Sequence, residues 1–226
     1  METTSSRKTN KKSATTASEA SIQLAYIDYL LNHGQRPPSV FKFAHDLGIK
    51  EDVFYNHFGS FEGLERYIWK VFMEHTLQRL QADKDYSGFS IREKILAFYY
   101  TFFEDLRANR SFILLQLEQQ PREVVIPDFL RDLKVAYDSY IKNLLTEGKG
   151  SEEIANRPYL DKTYPHIFWM QLYFLLMFWK KDNSPGFEQT DAAIEKSVNL
   201  ALDLIGKGAV DSVFDFAKFL FQTSVR

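Results

Sequence analysis

Residues 39–58 carry the sequence signals of two short helices together with a set of exposed polar groups. Ser39 is suited to cap a first helix, Gly48 to end it with a left-handed backbone, and Phe54 to anchor a second helix in a core. Two short helices joined by a tight turn form a helix-turn-helix, whose second helix can enter the major groove of DNA. The side chains expected to face phosphates or base edges are Lys42, Lys50, Val53, Tyr55, Asn56 and His57.

The charge around this segment leaves two interpretations open. Residues 20–70 have a net charge of −1, from Asp28, Asp46, Glu51, Asp52, Glu62 and Glu65 against Arg36, Lys42, Lys50, Arg66 and Lys70. This balance is unusual for a DNA-binding domain, because neutralisation of phosphates drives most non-specific affinity. Residues 1–17 are basic instead, and we expect a disordered arm that follows the DNA backbone or a minor groove through Arg7, Lys8, Lys11 and Lys12. In the alternative interpretation, Asn56 and His57 are surface residues without a nucleic-acid partner.

No pattern typical of an enzyme accompanies these residues. The sequence has no His-Glu-x-x-His run, no phosphate-binding glycine loop and no serine nucleophile elbow, and its histidines do not pair at ligand spacing (His33, His45, His57, His75 and His166). We therefore expect no catalytic residues, no metal and no cofactor. The absence of cysteine excludes disulfides and thiolate sites.

The sequence predicts a cytoplasmic localisation, because no apolar leader precedes the first helix. The longest apolar run, residues 167–179, is shorter than the roughly 20 residues that a membrane-spanning helix needs. We expect a buried helix there and no stable membrane insertion.

Apolar residues recur at spacings of three and four almost throughout, which predicts an all-α protein of about nine or ten helices. The predicted organisation is an arm over residues 1–17, a three-helix helix-turn-helix domain with its connecting helix over 18–83, and a larger helical bundle over 84–226. Ser90 and Glu93 form a capping box at the start of the bundle. Helices are also expected from Pro127 to Glu147, from Thr190 onward, and after Gly206.

The bundle is rich in aromatic residues, which allows either a tightly packed core or an apolar cavity for a hydrophobic or aromatic ligand. Tyrosine hydroxyls and Gln171 would be the polar groups of such a cavity. The candidate ligand-binding residues are Phe102, Phe103, Leu114, Tyr137, Tyr140, Trp169, Tyr173 and Phe174. The segment Phe168–Phe178 lacks a polar face, so it and the helix Thr190–Ile205 are the best candidates for a homodimer interface.

The first domain resembles the TetR family of transcription regulators. The residues that carry the resemblance are Phe43-Ala44, Leu47-Gly48-Ile49, Phe54-Tyr55-Asn56-His57-Phe58, Ser60 and Glu62-Gly63-Leu64. The resemblance implies a homodimeric repressor in which a small molecule alters the spacing of two recognition helices on a palindromic operator. It places Tyr55 and His57 near phosphates, and Val53 and Asn56 near bases. The sequence departs from the family pattern at Glu51, Asp52 and Phe61, where small or basic residues are usual.

A second resemblance covers the segment from Phe178 to Thr190 and the terminal helix. This part is similar to a TetR-fold accessory protein of ubiquinone biosynthesis, which binds isoprenoid lipid and not DNA. It implies an alternative function, a protein that binds lipid or another hydrophobic ligand and has lost DNA binding. In that case Phe214, Phe216, Phe219, Leu220 and Phe221 would form a helix that touches a membrane, or else a helix packed on its own domain.

Overall fold

The computed structural model describes residues 17–118, 126–157 and 162–205 of the chain. Those residues form nine α-helices and three short 3₁₀ turns and contain no β-strand, so the all-α prediction is confirmed. The predicted arm, with Arg7, Lys8, Lys11 and Lys12, and the predicted helix after Gly206 lie outside the described residues. The helices are α1 (Glu19–His33), α2 (Val40–Leu47), α3 (Glu51–Tyr55), α4 (Phe61–Ala82), α5 (Ile91–Arg107), α6 (Arg110–Glu118), α7 (Arg131–Gly150), α8 (Tyr164–Lys181) and α9 (Glu188–Ile205).

The chain divides into two compact units, and the division falls within α4 between Leu64 and Glu65. We call residues 17–64 the N-terminal unit and the described residues from Glu65 onward the C-terminal unit. The domain boundary predicted near residue 83 stays a prediction.

Aromatic rings form the centre of the N-terminal unit. Tyr26 from α1 stacks on Phe61 at the start of α4, with ring centroids 5.3 Å apart, and Phe43 from α2 lies edge-on to Phe61 at 5.7 Å. Phe54 from α3 contacts Phe61 at 5.6 Å and Phe43 at 6.1 Å. All four rings are buried, so each helix of the unit contributes one large ring to a shared core.

A buried carboxylate joins α4 to α5 in the C-terminal unit. Asp105 accepts hydrogen bonds from Thr76 Oγ1 at 2.9 Å and from Arg79 Nη1 at 2.6 Å, and His75 Nδ1 lies 3.1 Å from it. Burying a charge is expensive unless it is paired and hydrogen-bonded, and this carboxylate has both kinds of partner. The predicted capping box at the start of α5 is present, with Ser90 Oγ accepting from the Glu93 N–H.

Helix α8 is apolar on two sides, as its sequence indicates, but in this chain only one side is covered. Phe168, Trp169 and Leu172 are among the residues that it buries in the core. On the other side Phe174 is 52% exposed, and Leu200 of the adjacent α9 is 62% exposed. No helix among the described residues is long and apolar enough to cross a membrane.

The turn between α8 and α9 is organised by Asp182. Its carboxylate accepts hydrogen bonds from the backbone N–H and hydroxyl of both Ser184 and Thr190, over 2.6–2.9 Å. Burial disfavours the charged carboxylate, but these hydrogen bonds outweigh that effect and lower the pKa of Asp182 to about 2. The Arg110 guanidinium lies over the Trp179 ring, 4.3 Å from its centroid, and over the Phe187 ring at 4.4 Å. The described part of the second resemblance therefore has a structural role in this chain.

Helix α7 differs from its predicted bounds. A 3₁₀ turn occupies Asp128–Leu130, so the α-helix starts at Arg131 instead of Pro127, and it runs to Gly150 instead of ending at Glu147. Gly148 is buried within the helix because Ile91 and Ile154 pack directly against its backbone. A Cβ atom at this position would lie 2.6 Å from the nearest atom of Ile154 and 2.8 Å from Ile91.

Replacing Gly148 should therefore destabilise the C-terminal unit. We expect Gly148→Ala to lower the free energy of unfolding by about 1–3 kcal/mol, the usual range for overpacking a filled core. Gly150→Ala is the matched control, because nothing lies within 4 Å of a Cβ atom there. Urea denaturation of the two variants makes the comparison, and equal stability would contradict the close packing described here.

Candidate nucleic-acid interface

The helix-turn-helix is built by local capping and a glycine turn, as predicted. Ser39 Oγ accepts a hydrogen bond from the Lys42 N–H at 3.1 Å and so caps α2. Gly48 ends α2 with a φ of 73°, a left-handed conformation that favours glycine. The Ile49 N–H then donates to the Ala44 carbonyl at 3.0 Å, and buried Ala44 provides the small surface that the turn needs.

The predicted DNA-contacting residues occupy different environments. Lys50, Tyr55 and Asn56 are exposed around α3, whereas Val53 is half-buried. Lys42 is exposed on α2, but its ammonium lies 2.6 and 2.8 Å from the two carboxylate oxygens of Asp46. The hydrogen bonds from Lys42 lower the pKa of Asp46, so the two charges are paired. Lys50 forms no ion pair with any residue of the described ranges.

The acids of α3 have a structural explanation. Glu51 and Asp52 lie in the first turn, where negative charge interacts favourably with the helix dipole. Asp52 Oδ1 also accepts a hydrogen bond from the Val53 N–H at 2.9 Å, while Lys50 at the N-cap position gives α3 no side-chain cap. These acids therefore stabilise the start of a very short helix.

Phe61 has a structural explanation as well. It is buried and contacts Tyr26, Phe43 and Phe54. A lysine, which the family commonly has at this position, would leave these rings without a central partner. Phe61 therefore adds a ring to the core and no positive charge at this position.

His57 is held by the start of α1. Its Nε2–H donates to the Ala17 carbonyl at 3.0 Å, and its Nδ1 lies 3.8 Å from Glu19 Oε1. The ring is half-buried, so one edge is already occupied within the unit. Sequence analysis missed Ala17 and Glu19, because they lie about 40 residues away from His57 and belong to no motif. The contact fixes residue 17, where the basic N-terminal segment joins the unit, beside the end of α3.

The N-terminal unit is acidic, and some of its basic groups are compensated internally. Arg36 forms an ion pair with Glu62, in addition to the pair between Lys42 and Asp46. The formal charge of residues 17–64 is −3, from Glu19, Asp28, Asp46, Glu51, Asp52 and Glu62 against Arg36, Lys42 and Lys50.

The candidate ligand-binding residues of the C-terminal unit do not all lie together. Tyr137 lies near Trp169, with ring centroids 6.3 Å apart, and reaches Phe102 through Phe98 in the buried core. Phe103 lines a separate cleft of about 280 Å³ beside Trp179. Leu114, Tyr140 and Tyr173 are half-buried, and Phe174 is exposed beside Phe178.

Two of the three tyrosine hydroxyls predicted to meet a ligand, those of Tyr137 and Tyr140, already have hydrogen-bond partners. Tyr99 donates to Tyr137 at 2.7 Å, and Tyr137 donates to the Phe168 carbonyl at 3.3 Å. Tyr140 donates to the Lys94 carbonyl at 3.2 Å and accepts from Tyr86. Burial raises the pKa of Tyr99, Tyr137 and Tyr140, so these hydroxyls stay protonated and act as hydrogen-bonding groups.

The chain is similar to known proteins in both sequence and fold. Residues 94–220 match the sequence model of the tetracyclin repressor-like C-terminal domain. No curated protein sequence matches the chain. A protein of Shewanella sp. PV-4 assigned to the TetR family of transcription regulators has a TM-score of 0.59 at 15% identity, over 84% of this chain and 98% of that one.

Two further solved structures show the same fold. The fatty acid degradation regulator FadR of Bacillus halodurans has a TM-score of 0.58 at 17% identity, covering 81% of this chain and 94% of that one. A TetR family transcription regulator of Marinobacter aquaeolei VT8 has a TM-score of 0.50 at 19% identity, covering 83% and 95% of the two chains.

The contact between His57 and Ala17 can be tested directly. We expect His57→Ala to speed amide hydrogen exchange at residues 19–22, because the start of α1 loses its anchor to α3. The loss in global stability should be only about 0.5–1.5 kcal/mol, the usual range for one hydrogen bond. His45→Ala, at a side chain that is 75% exposed, is the control and should leave exchange in α1 unchanged. Unchanged protection in His57→Ala would show that the contact does not hold α1.

Proposed function

Because the chain belongs to the TetR family of transcription regulators, we propose that it binds DNA as a homodimer and responds to a small molecule. The N-terminal unit reads a palindromic operator and represses the genes beside it. The effector is a hydrophobic or aromatic molecule bound by the C-terminal unit. The protein acts by binding and carries no catalytic site in this proposal.

One observation carries the proposal, namely the exposed face of the helix-turn-helix. Lys50, Tyr55 and Asn56 stay exposed while Phe54 anchors the same helix in the aromatic core. A short helix held by a rigid core, with polar groups on its free side, suits insertion into a major groove. In a dimer, the α3 helices of the two subunits would then bind half-sites separated by whole helical turns.

The first test is binding to DNA that contains the upstream region of its own gene, measured by fluorescence anisotropy at several salt concentrations. We expect Tyr55→Ala to weaken binding by about tenfold or more, the value of a hydrogen bond to a charged phosphate. Asn56→Ala should change the preferred DNA sequence instead, because Asn56 lies where base edges are read.

Deleting residues 1–17 should reduce the dependence of DNA affinity on salt concentration.

Tyr100→Ala is the matched control, since this tyrosine is also exposed but lies on α5 of the C-terminal unit. It should leave DNA binding unchanged. If the intact protein forms no sequence-selective complex at low salt, the regulator proposal fails.

The charge of the N-terminal unit favours a second candidate function, a TetR-fold protein that binds lipid or another hydrophobic ligand and does not bind DNA. Lys42 and Arg36 are committed to ion pairs with Asp46 and Glu62, and the unit is acidic overall. Native mass spectrometry that finds a lipid bound to the purified protein, together with no selective DNA complex, would favour this candidate.

The exposed side of α8 and α9 supports the dimer. A groove of about 530 Å³ runs between these helices, and its lining is mainly apolar, including Phe174, Phe178, Ala193 and Leu200. Exposed apolar patches of this kind are typical of subunit interfaces. A second copy of the chain would cover them by a two-fold arrangement in which α8 and α9 pack on their own counterparts.

Introducing a charge into this groove should separate the subunits. We expect Phe174→Glu to convert a dimer into a monomer at micromolar concentration, because the buried carboxylate would have no partner. Val135→Glu, at a still more exposed apolar residue on α7, should leave the dimer intact. Light scattering coupled to size exclusion measures the mass, and a wild-type protein that is already monomeric would disprove the dimer.

A further inference from the structure

A second surface of the C-terminal unit has a different chemical character. A cleft of about 580 Å³ lies between α7 and the start of α8. Among the described residues that line it are four lysines, one histidine and one acid, Asp138. The basic residues are Lys134, Lys142, Lys149, Lys162 and His166.

Helix periodicity explains how α7 gathers three of these lysines. Lys134, Asp138, Lys142 and Lys149 follow one another at spacings of four, four and seven residues, so they share one face of the helix. At 1.5 Å per residue this row extends over about 22 Å. The cleft is therefore elongated, with positive charge along its length.

Asp138 does not neutralise this row. Asp138 Oδ2 lies 2.5 Å from Lys134 Nζ, and Lys134 also lies over the Trp169 ring at 5.4 Å from its centroid. Asp138 is thus engaged through one carboxylate oxygen by a half-buried lysine of the cleft. Lys142 and Lys162 are exposed, and neither forms an ion pair within the described ranges of the chain.

The start of α8 adds a further positive contribution. Thr163 at the N-cap makes no side-chain capping hydrogen bond within the described residues, and Pro165 and His166 of the first turn line the cleft. The N-terminus of an 18-residue helix carries a positive partial charge, which suits an anion, although Pro165 supplies no N–H donor in this first turn. Lys162 precedes this turn directly.

We propose that this cleft binds a small ligand that carries phosphate groups. Lysine ammonium groups act as point charges for phosphate, and helix N-termini bind it through backbone N–H groups. The volume falls within the roughly 300–1,000 Å³ usual for small-molecule sites, enough for a ligand of about nucleotide size. The cleft is separate from the apolar groove of α8 and α9, and its ligand class differs from the hydrophobic effector proposed above.

Isothermal titration of the full chain with pyrophosphate at low salt tests the site. We expect saturable binding with one ligand per chain. The double variant Lys142→Gln with Lys162→Gln should weaken it by at least about tenfold, because two direct charge contacts are lost. The double variant Lys84→Gln with Lys181→Gln removes the same charge from exposed lysines outside the cleft, and its affinity should stay within about twofold.

The same phosphate chemistry could come from a free metabolite or from the headgroup of an anionic phospholipid. Sedimentation with phosphatidylglycerol vesicles, compared with phosphatidylcholine vesicles, separates the two sources. Pyrophosphate binding without vesicle binding identifies a free phosphorylated ligand, and selective vesicle binding that Lys142→Gln with Lys162→Gln abolishes identifies a headgroup.

Two results would overturn the proposal. One is a wild-type protein that binds neither pyrophosphate nor phosphatidylglycerol vesicles, and the other is an equal loss of affinity in both double variants. All of these measurements are made without DNA. Their failure would leave the regulator proposal standing, and a failure of DNA binding would not affect them.

Discussion

Aromatic packing in the N-terminal unit is the constraint on which the candidate interface depends. Helices α2 and α3 have eight and five residues, and isolated helices shorter than about 12–15 residues are marginal in water. Their conformation is therefore maintained by tertiary contacts, above all those of Phe43 and Phe54 with Phe61. Each such ring pair contributes about 0.5–1.5 kcal/mol beyond the burial of its area. Lys50 and Asn56 keep their positions only because Phe54 lies in that core.

The same aromatic core limits the electrostatic contribution that the N-terminal unit could make to DNA affinity. A ring at position 61 strengthens the packing but supplies no charge, and two cations of the unit are paired with acids. Electrostatic attraction from residues 17–64 is consequently weak. Affinity would then depend on base contacts, on the basic residues before position 17, and on the linkage of two units in one dimer, which raises the effective concentration of the second.

Sequence analysis predicted the features that are set by neighbouring residues. The cap at Ser39, the turn at Gly48 and the capping box of Ser90 and Glu93 each depend on three or four consecutive positions. It did not predict the 3₁₀ turn before α7, because apolar spacing does not distinguish such a turn from a first helical turn. Contacts over 38 to 54 residues, such as Tyr99 with Tyr137 and Tyr86 with Tyr140, leave no local signal. The lysine cleft was missed because α7 and α8 each supply only part of it.

Helix α8 connects the two ligand chemistries of the C-terminal unit. Its first turn borders the lysine cleft, its middle is buried in the core, and Phe174 and Phe178 line the apolar groove. A hydrophobic effector in the core would have to displace rings whose neighbouring hydroxyls are already hydrogen-bonded, such as Tyr137. A phosphate-bearing ligand in the cleft would require no such opening. Because the helix is continuous over about 27 Å, a shift of its first turn on ligand binding would be transmitted to the proposed dimer surface, and dimerisation would then reciprocally alter affinity for the ligand.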